Sequence, residues 1–176
     1  MAETTKTKKT TTESENWEDK IKNLDMSKRV VVRSIAPWGV GFPNKVTNND
    51  TVIEPLGKAS VRREELVEQV NADNKLIAGI DGIGSHAYLY IEDEATRRLL
   101  DFDSLDGTRK QKFLSDEKIK EIFEITDIEK FKAAIKEEVV VRAEKQYLLK
   151  AIEKFGFDSY AKIEFCKGHC KFNLFG

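Results

Sequence analysis

Hydrophobic and polar positions divide the chain into segments of different period. Trp17, Ile21 and Leu24 recur at i, i+4 and i+7 among charged neighbours, which predicts a short amphipathic helix over 17–28. About two turns of helix are marginal alone in water, so this segment must dock, either on its own body or on a partner. Arg29 to Ala36 reads as a strand, with Val30, Val31 and Val32 β-branched and Ile35 following. Pro37-Trp38-Gly39-Val40-Gly41-Phe42-Pro43 reads as a loop that carries aromatics between glycines and prolines, and either folds them back to cap a sheet end or shows them to a partner. Asn48-Asn49-Asp50 is a turn signal, and Thr51 to Ile53 returns as a second strand.

Ser60 is placed as the N-cap of a helix whose first turn holds Glu64 and Glu65 and whose apolar face is Leu66, Val67 and Val70. That helix stops at Asn71-Ala72-Asp73-Asn74, and Lys75 to Ile80 leads back toward the core. Ala87 to Ile91 alternates aliphatic and amphipathic residues, as a half-buried strand does. Asp93 caps a short helix reaching Leu99 and Leu100. After a turn-rich stretch around Asp106-Gly107 the period becomes helical. Ser115 caps a stripe of Ile119, Ile122 and Phe123, and Thr126 with Glu129 fits a capping box. The helix opened there runs through Ile128, Phe131 and Ile135 toward Phe155. It carries a kink signal at Val139-Val140-Val141, a Glu138–Arg142 pair at i, i+4, and Gly156 as its C′ residue.

These segments predict an α+β fold: a small, mainly antiparallel sheet with one or two helices, followed by a helical C-terminal lobe. The boundaries are an arm over 1–16, the short helix over 17–28, an α+β lobe over 29–103, a linker over 104–114, and a helical lobe with a C-terminal tail over 115–176. The arm is mostly Thr, Lys, Glu and Ser, with Lys6, Lys8 and Lys9 balanced by Glu3, Glu13 and Glu15. Such a segment either frays or orders on a neighbouring subunit.

Charge narrows the functional classes. Thirty basic and 31 acidic residues in 176 leave a net −1, which removes the general electrostatic argument for nucleic acid or anionic membrane. No run approaches the ~18 apolar residues of a membrane span, and no secretion signal is recognisable. Two cysteines make no disulfide framework. The reading is an intracellular protein.

Candidate chemistry is sparse. Gly79-Ile80-Asp81-Gly82-Ile83-Gly84 lacks the dinucleotide spacing and its strand-to-helix context, and reads as a tight turn. Asp81, Ser85 and His86 hold the residue types of a nucleophile triad, but adjacent Ser and His on a strand point to opposite faces. Cys166-Lys167-Gly168-His169-Cys170 offers two thiols and an imidazole to zinc without a fourth ligand, so no metal is assigned and the cysteines are read as reduced. Arg29, Arg33, Arg62 and Arg63 supply a candidate nucleic-acid patch on the first lobe, without the interleaved aromatics of single-strand binders. The expectation is a chain that is not an enzyme and takes no cofactor or small-molecule substrate. Its partner-binding residues would be Trp17, Ile21, Leu24, Trp38, Val40 and Phe42, aromatic and apolar anchors outside the sheet.

The order of elements resembles the small accessory proteins of tailed-bacteriophage head and tail assembly. A Thr/Lys arm precedes the Pro37–Pro43 loop, Val61 to Val70, Gly79 to His86, Ala87-Tyr88-Leu89-Tyr90-Ile91 and a Lys/Glu-rich helical tail. The likeness spans roughly 29–165 and carries no functional residue across. It implies a structural component of a virion, assembled in the bacterial cytoplasm, whose partners are other virion or assembly proteins or copies of itself. A nucleic-acid-binding or regulatory module is the alternative.

Overall fold

The computed structural model describes residues 17–45 and 48–171; the arm over 1–16 and the end of the tail lie outside the described residues. The elements run α1 (Trp17–Lys22), β1 (Arg29–Ser34), β2 (Val40–Pro43), β3 (Asp50–Ile53), β4 (Lys58–Arg62), α2 (Arg63–Asn71), α3 (Lys75–Ala78), β5 (Leu89–Ile91) and α4 (Glu94–Leu99). The helical part follows as α5 (Asp116–Glu124), α6 (Ile128–Glu138), α7 (Arg142–Phe155) and α8 (Tyr160–His169). The α+β class with a helical C-terminal region stands. A three-stranded antiparallel sheet in the order β4-β1-β5 lies beside a β2–β3 hairpin.

Period-2 alternation builds the sheet. Val30, Val32 and Ser34 of β1 point inward, and Arg29, Val31 and Arg33 point outward. Val61 of β4 and Leu89 and Ile91 of β5 join the inner side. A first core gathers these with Ile35, Val40, Phe42, Ile53, Leu66, Ile77 and Phe102. A second gathers Ile119, Ile122, Phe131, Ile135, Leu148 and Ile152 with both cysteines. Ala143 belongs to the first core although it sits on α7, and Tyr147 touches both.

Several local expectations are corrected. α1 ends at Lys22, where the predicted helix extended to 28, and a turn follows in which the Asp25 carboxylate accepts from the Ser27 amide and hydroxyl. Val40–Pro43 is a strand, not a loop. Val40 and Phe42 point inward, Gly41 and Pro43 outward, and all four pair with Asp50–Ile53. Ser60 is a strand residue opposite Val31, so it caps nothing. The helix starts after Arg62, and its leading amides are answered from the preceding turn: Arg63 N donates to Lys28 O and Glu64 N to Met26 O, each at 2.9 Å. Asp127, one residue beyond Thr126, caps α6 by accepting from the Glu129 and Lys130 amides. Chain direction breaks at Val139–Val141, so Glu138 reaches Lys118 instead of Arg142. The caps at Asp93 and Ser115 and the left-handed Gly156 occur as expected.

Asp93 is more than a cap. Its carboxylate accepts from the Thr96 amide and hydroxyl and pairs with Arg63, whose guanidinium is 1% exposed. Burial alone would raise Asp93, but the hydrogen bonds from Thr96, Lys28 and Arg63 outweigh it and hold the carboxyl at about 2. Asp93→Ala removes a cap and leaves Arg63 buried without its counter-charge, at an expected cost of about 2–4 kcal/mol in urea unfolding near neutral pH. Because the folded value lies below the ordinary ~3.9, this contribution is complete above that range and fades as pH falls toward 2. The gap between parent and variant therefore narrows in acid; a gap that stays constant through that window, or is negligible at neutral pH, contradicts the assignment.

Candidate functional site

Where the two lobes meet, a cleft of about 390 Å³ is lined by Arg33, Ile35, Leu56 and Lys58 from the sheet side and by Phe113, Asp116, Tyr147, Lys150, Ala151 and Lys154 from the helical side. Register and helical phase create it. Arg33 and Lys58 are opposite one another across β1 and β4, two like charges that would repel if left alone. Glu92, just past β5, bridges them at 2.6 Å from Arg33 and 2.8 Å from Lys58. Those partners, Lys58 first, hold its carboxyl below the usual range. On the other wall Tyr147, Lys150, Ala151 and Lys154 fall at i, i+3, i+4 and i+7 and so share one face of α7.

Asp116 opens α5 and accepts from the Tyr147 hydroxyl at 2.7 Å and from Lys154 at 2.6 Å. Burial, then the Asp116 bond, raises the Tyr147 hydroxyl well above its ordinary value, so it stays protonated and donates. Lys150 forms no hydrogen bond or ion pair among the described residues. The cleft thus sets four cations, Arg33, Lys58, Lys150 and Lys154, against two carboxylates, Glu92 and Asp116. A concavity at a lobe junction with apolar walls and surplus positive charge is suited to hold an anion.

Three contacts fix the lobes around it. His86 Nδ1 lies 2.8 Å from Glu144 Oε1, while Glu144 Oε2 accepts from the Val140 and Val141 amides at the helix break. The Tyr90 and Phe113 rings pack 4.6 Å apart, and the Arg142 guanidinium lies over Trp38 at 5.2 Å.

The anchor set is redistributed by the fold. Val40 and Phe42 are 4% and 3% exposed in the first core, which withdraws them from any partner. Trp38 is half-buried, edge-on to Tyr88 and packed on the same core. Trp17, Ile21 and Leu24 are half-buried, with α1 lying against α4 and Arg98 4.3 Å over the Trp17 ring. Docking of this helix is therefore on its own body.

The arginine patch is also corrected. Arg63 is buried and bonded to Thr96, Asp93 and the Asp25 carbonyl, so it contacts no nucleic acid. Arg29 donates to Ser60 O, Arg62 pairs with Glu64, and Arg33 with Glu92. Only Arg33 of the four belongs to the cleft.

Asp81 accepts from the Ile83 and Ser85 amides, closing the glycine turn, while His86 turns away to Glu144. Gly79 has φ +72°, and a Cβ there would meet the Ser85 carbonyl, so this turn requires glycine. Cys166 on α8 and Cys170, its C-cap residue, are buried in the second core. Burial pushes their thiols up to about 12 and about 11, and His169 Nε2 meets the Val139 carbonyl. No group of three metal-ligating side chains occurs among the described residues.

Sequence reasoning did not single out Lys58, Glu92, Asp116, Tyr147, Lys150 or Lys154. For Tyr147, Lys150 and Lys154 the one local signal was the i, i+3, i+7 phase on α7, and a solvated helix face has the same phase.

Another concavity, of about 230 Å³, is lined by Arg29, Arg62, Asp50, Thr51 and Glu65, among others. Glu65 is buried and accepts from the Thr51 hydroxyl at 2.9 Å. Burial raises its carboxyl, and the Thr51 bond with the charges of Arg29 and Arg62 only partly opposes this. A raised folded value means that the parent loses stability as pH climbs through it. Glu65→Gln keeps an acceptor for Thr51 and does not titrate. Its melting temperature relative to the parent is expected to rise between about pH 4 and pH 7; a difference independent of pH over that window, or of opposite slope, contradicts the raised value.

No described helix is long and apolar enough to cross a membrane. No family model matches the chain, and no curated protein or solved structure is significantly similar to it.

Proposed function

We propose that this chain is a non-enzymatic interaction protein, an accessory component of a tailed-phage particle in its head or head–tail region, which docks on neighbouring subunits. The observation that carries the reading is the cleft between the lobes. Surplus positive charge and apolar surface coincide in it, and the hydroxyl that meets a carboxylate there, Tyr147 on Asp116, is held protonated by burial and by that bond. Elsewhere the reactive side chains serve the architecture: the thiols lie in a core, and the histidines are tied to Glu144 and the Val139 carbonyl. The resemblance in element order supports the phage context. Docking therefore relies on charge and shape held between two lobes, not on the aromatic loop.

A second reading, a nucleic-acid-binding module, draws support from one observation. Two like-charged pairs, Arg29 with Arg62 and Arg33 with Lys58, lie opposite each other on the outward sheet face. It requires retention of DNA or RNA at low ionic strength that falls steeply with salt; absence of retention there removes it.

The docking reading is tested by co-expressing the chain with the products of its neighbouring genes and measuring mass by size-exclusion chromatography with light scattering. A complex heavier than the 20.1 kDa chain is expected with at least one of them. Elution of the chain alone in every combination overturns it.

A further inference from the structure

The geometry points to the inter-lobe cleft as the docking site of an acidic segment of a partner polypeptide, with Lys150 as its principal cation. This rests on the docking reading and adds the chemistry of what docks.

The chain itself shows what its cation pairs take. Glu92 sits between Arg33 and Lys58, and Asp116 receives Lys154 together with the Tyr147 hydroxyl. Each time the counter-ion is a carboxylate. Lys150 lines the same cleft without one, and Arg33 and Lys58 share a single carboxylate between two charges. The positive surplus thus lies at Lys150 and at the Arg33–Lys58 pair. Leu56 and Phe113 give the walls accessible apolar surface, with Ile35 and Ala151 buried behind them, so the complementary ligand alternates acidic with apolar groups.

The same features disfavour a nucleic-acid strand. The Phe113 ring is engaged with Tyr90, and the Tyr147 hydroxyl is tied to Asp116, so neither offers an unengaged platform for a base. At the helix end that borders the cleft, Ser115 already accepts from the Lys118 amide, and the Asp116 carboxylate places negative charge in the first turn. Recognition of phosphate by free helix amides has little foothold there.

The test measures fluorescence anisotropy of a labelled peptide of alternating Glu and Leu on the full chain at low ionic strength, against labelled oligothymidylate of equal length. The peptide is expected to bind more tightly than the oligonucleotide and to weaken with salt. Lys150→Gln, an exposed position whose loss leaves the fold intact, should reduce peptide affinity about fivefold. Lys136→Gln, an exposed lysine on α6 away from the cleft, should leave it unchanged. Glu92→Gln releases Arg33 and Lys58 and should strengthen binding about threefold, a gain that loss of structure would not produce.

Equal losses for Lys150→Gln and Lys136→Gln, no effect of Lys150→Gln, weaker binding in a folded Glu92→Gln, or tighter binding of oligothymidylate each overturns the inference. So does a peptide that fails to bind. In that last case a complex with the neighbouring gene products still leaves the docking function standing, so the two failures are told apart.

Discussion

A guanidinium withdrawn from water needs its donors answered, and the fold depends most on how this is done for Arg97. Its Nε meets Asp103 at 2.9 Å, and one terminal nitrogen meets the carbonyls of Ile91 and Glu92 at 2.7 and 2.9 Å. The carbonyl contacts fix the backbone of Glu92, which is why its carboxylate can stand between Arg33 and Lys58. The Asp103 contact propagates through the other carboxylate oxygen to the Gln111 amide, and the Gln111 side chain then reaches Ile91 N and Leu89 O along the free edge of β5. Two residues on, Phe113 packs against Tyr90, over which Arg97 itself lies at 5.2 Å. One buried cation thus sets the sheet edge, the entry of the linker and the charge pattern of the cleft. Its worth lies in specifying positions rather than in net stability, since buried ion pairs gain little over apolar replacements while breaking one is costly.

Arg63 and Arg98 repeat the device at the ends of α4. Arg63 ties the Asp25 turn to Asp93 and Thr96, and Arg98 gathers Glu94 with the carbonyls of Ser104 and Leu105. Three arginines around one six-residue helix therefore replace the apolar packing that so short a helix cannot supply. The four arginines that the sequence offered as a patch are likewise engaged: Arg63 by Asp93, Thr96 and the Asp25 carbonyl, Arg29 by the Ser60 carbonyl, and Arg33 and Arg62 by Glu92 and Glu64. Side-chain charge states where a cation is, not what has claimed it.

That distinction marks how far the sequence carried. Periodicity was sufficient for β1, β5, α5 and α6, and cap chemistry placed Asp93, Ser115 and Gly156, because those signals are local. Ser60 misled for the same reason: Ser followed by two glutamates satisfies cap logic, yet Val61 inside and Ser60 outside satisfy strand logic, and pairing with β1 decides between them. Val40 and Phe42 read as display residues because Gly and Pro surround them. The same four residues alternate buried and exposed, and β3 supplies the partner that makes the alternation count. α8 escaped notice because Gly168 lies in its last turn and because Phe165 falls off the short i, i+3, i+7 line of Ile163, Cys166 and the cap residue Cys170. The cleft lay beyond local reading altogether, since its walls come from β1, β4 and α7 and meet only through tertiary contact.

Why a wedge survives between the lobes follows from what each core consumes. The first closes on apolar side chains of the sheet, the hairpin, α2 and α3, and the second on Ile, Leu and Phe of the later helices, with Ala143 and Tyr147 of α7 carrying apolar packing across the seam. The rest of the seam falls to side chains with directional demands: an imidazole on a carboxylate, two tilted rings, a guanidinium over an indole. Such contacts hold an angle without filling volume, whereas close packing of aliphatic groups would have excluded the space. Glu144 concentrates this geometry, with one oxygen on His86 of the sheet lobe and the other on the two amides freed by the Val139–Val141 break. The break that interrupts the long helix is therefore also what turns α7 so that Tyr147, Lys150 and Lys154 face Arg33 and Lys58. An uninterrupted helix would leave Glu144 without those amides, and the cleft would lose one of its walls.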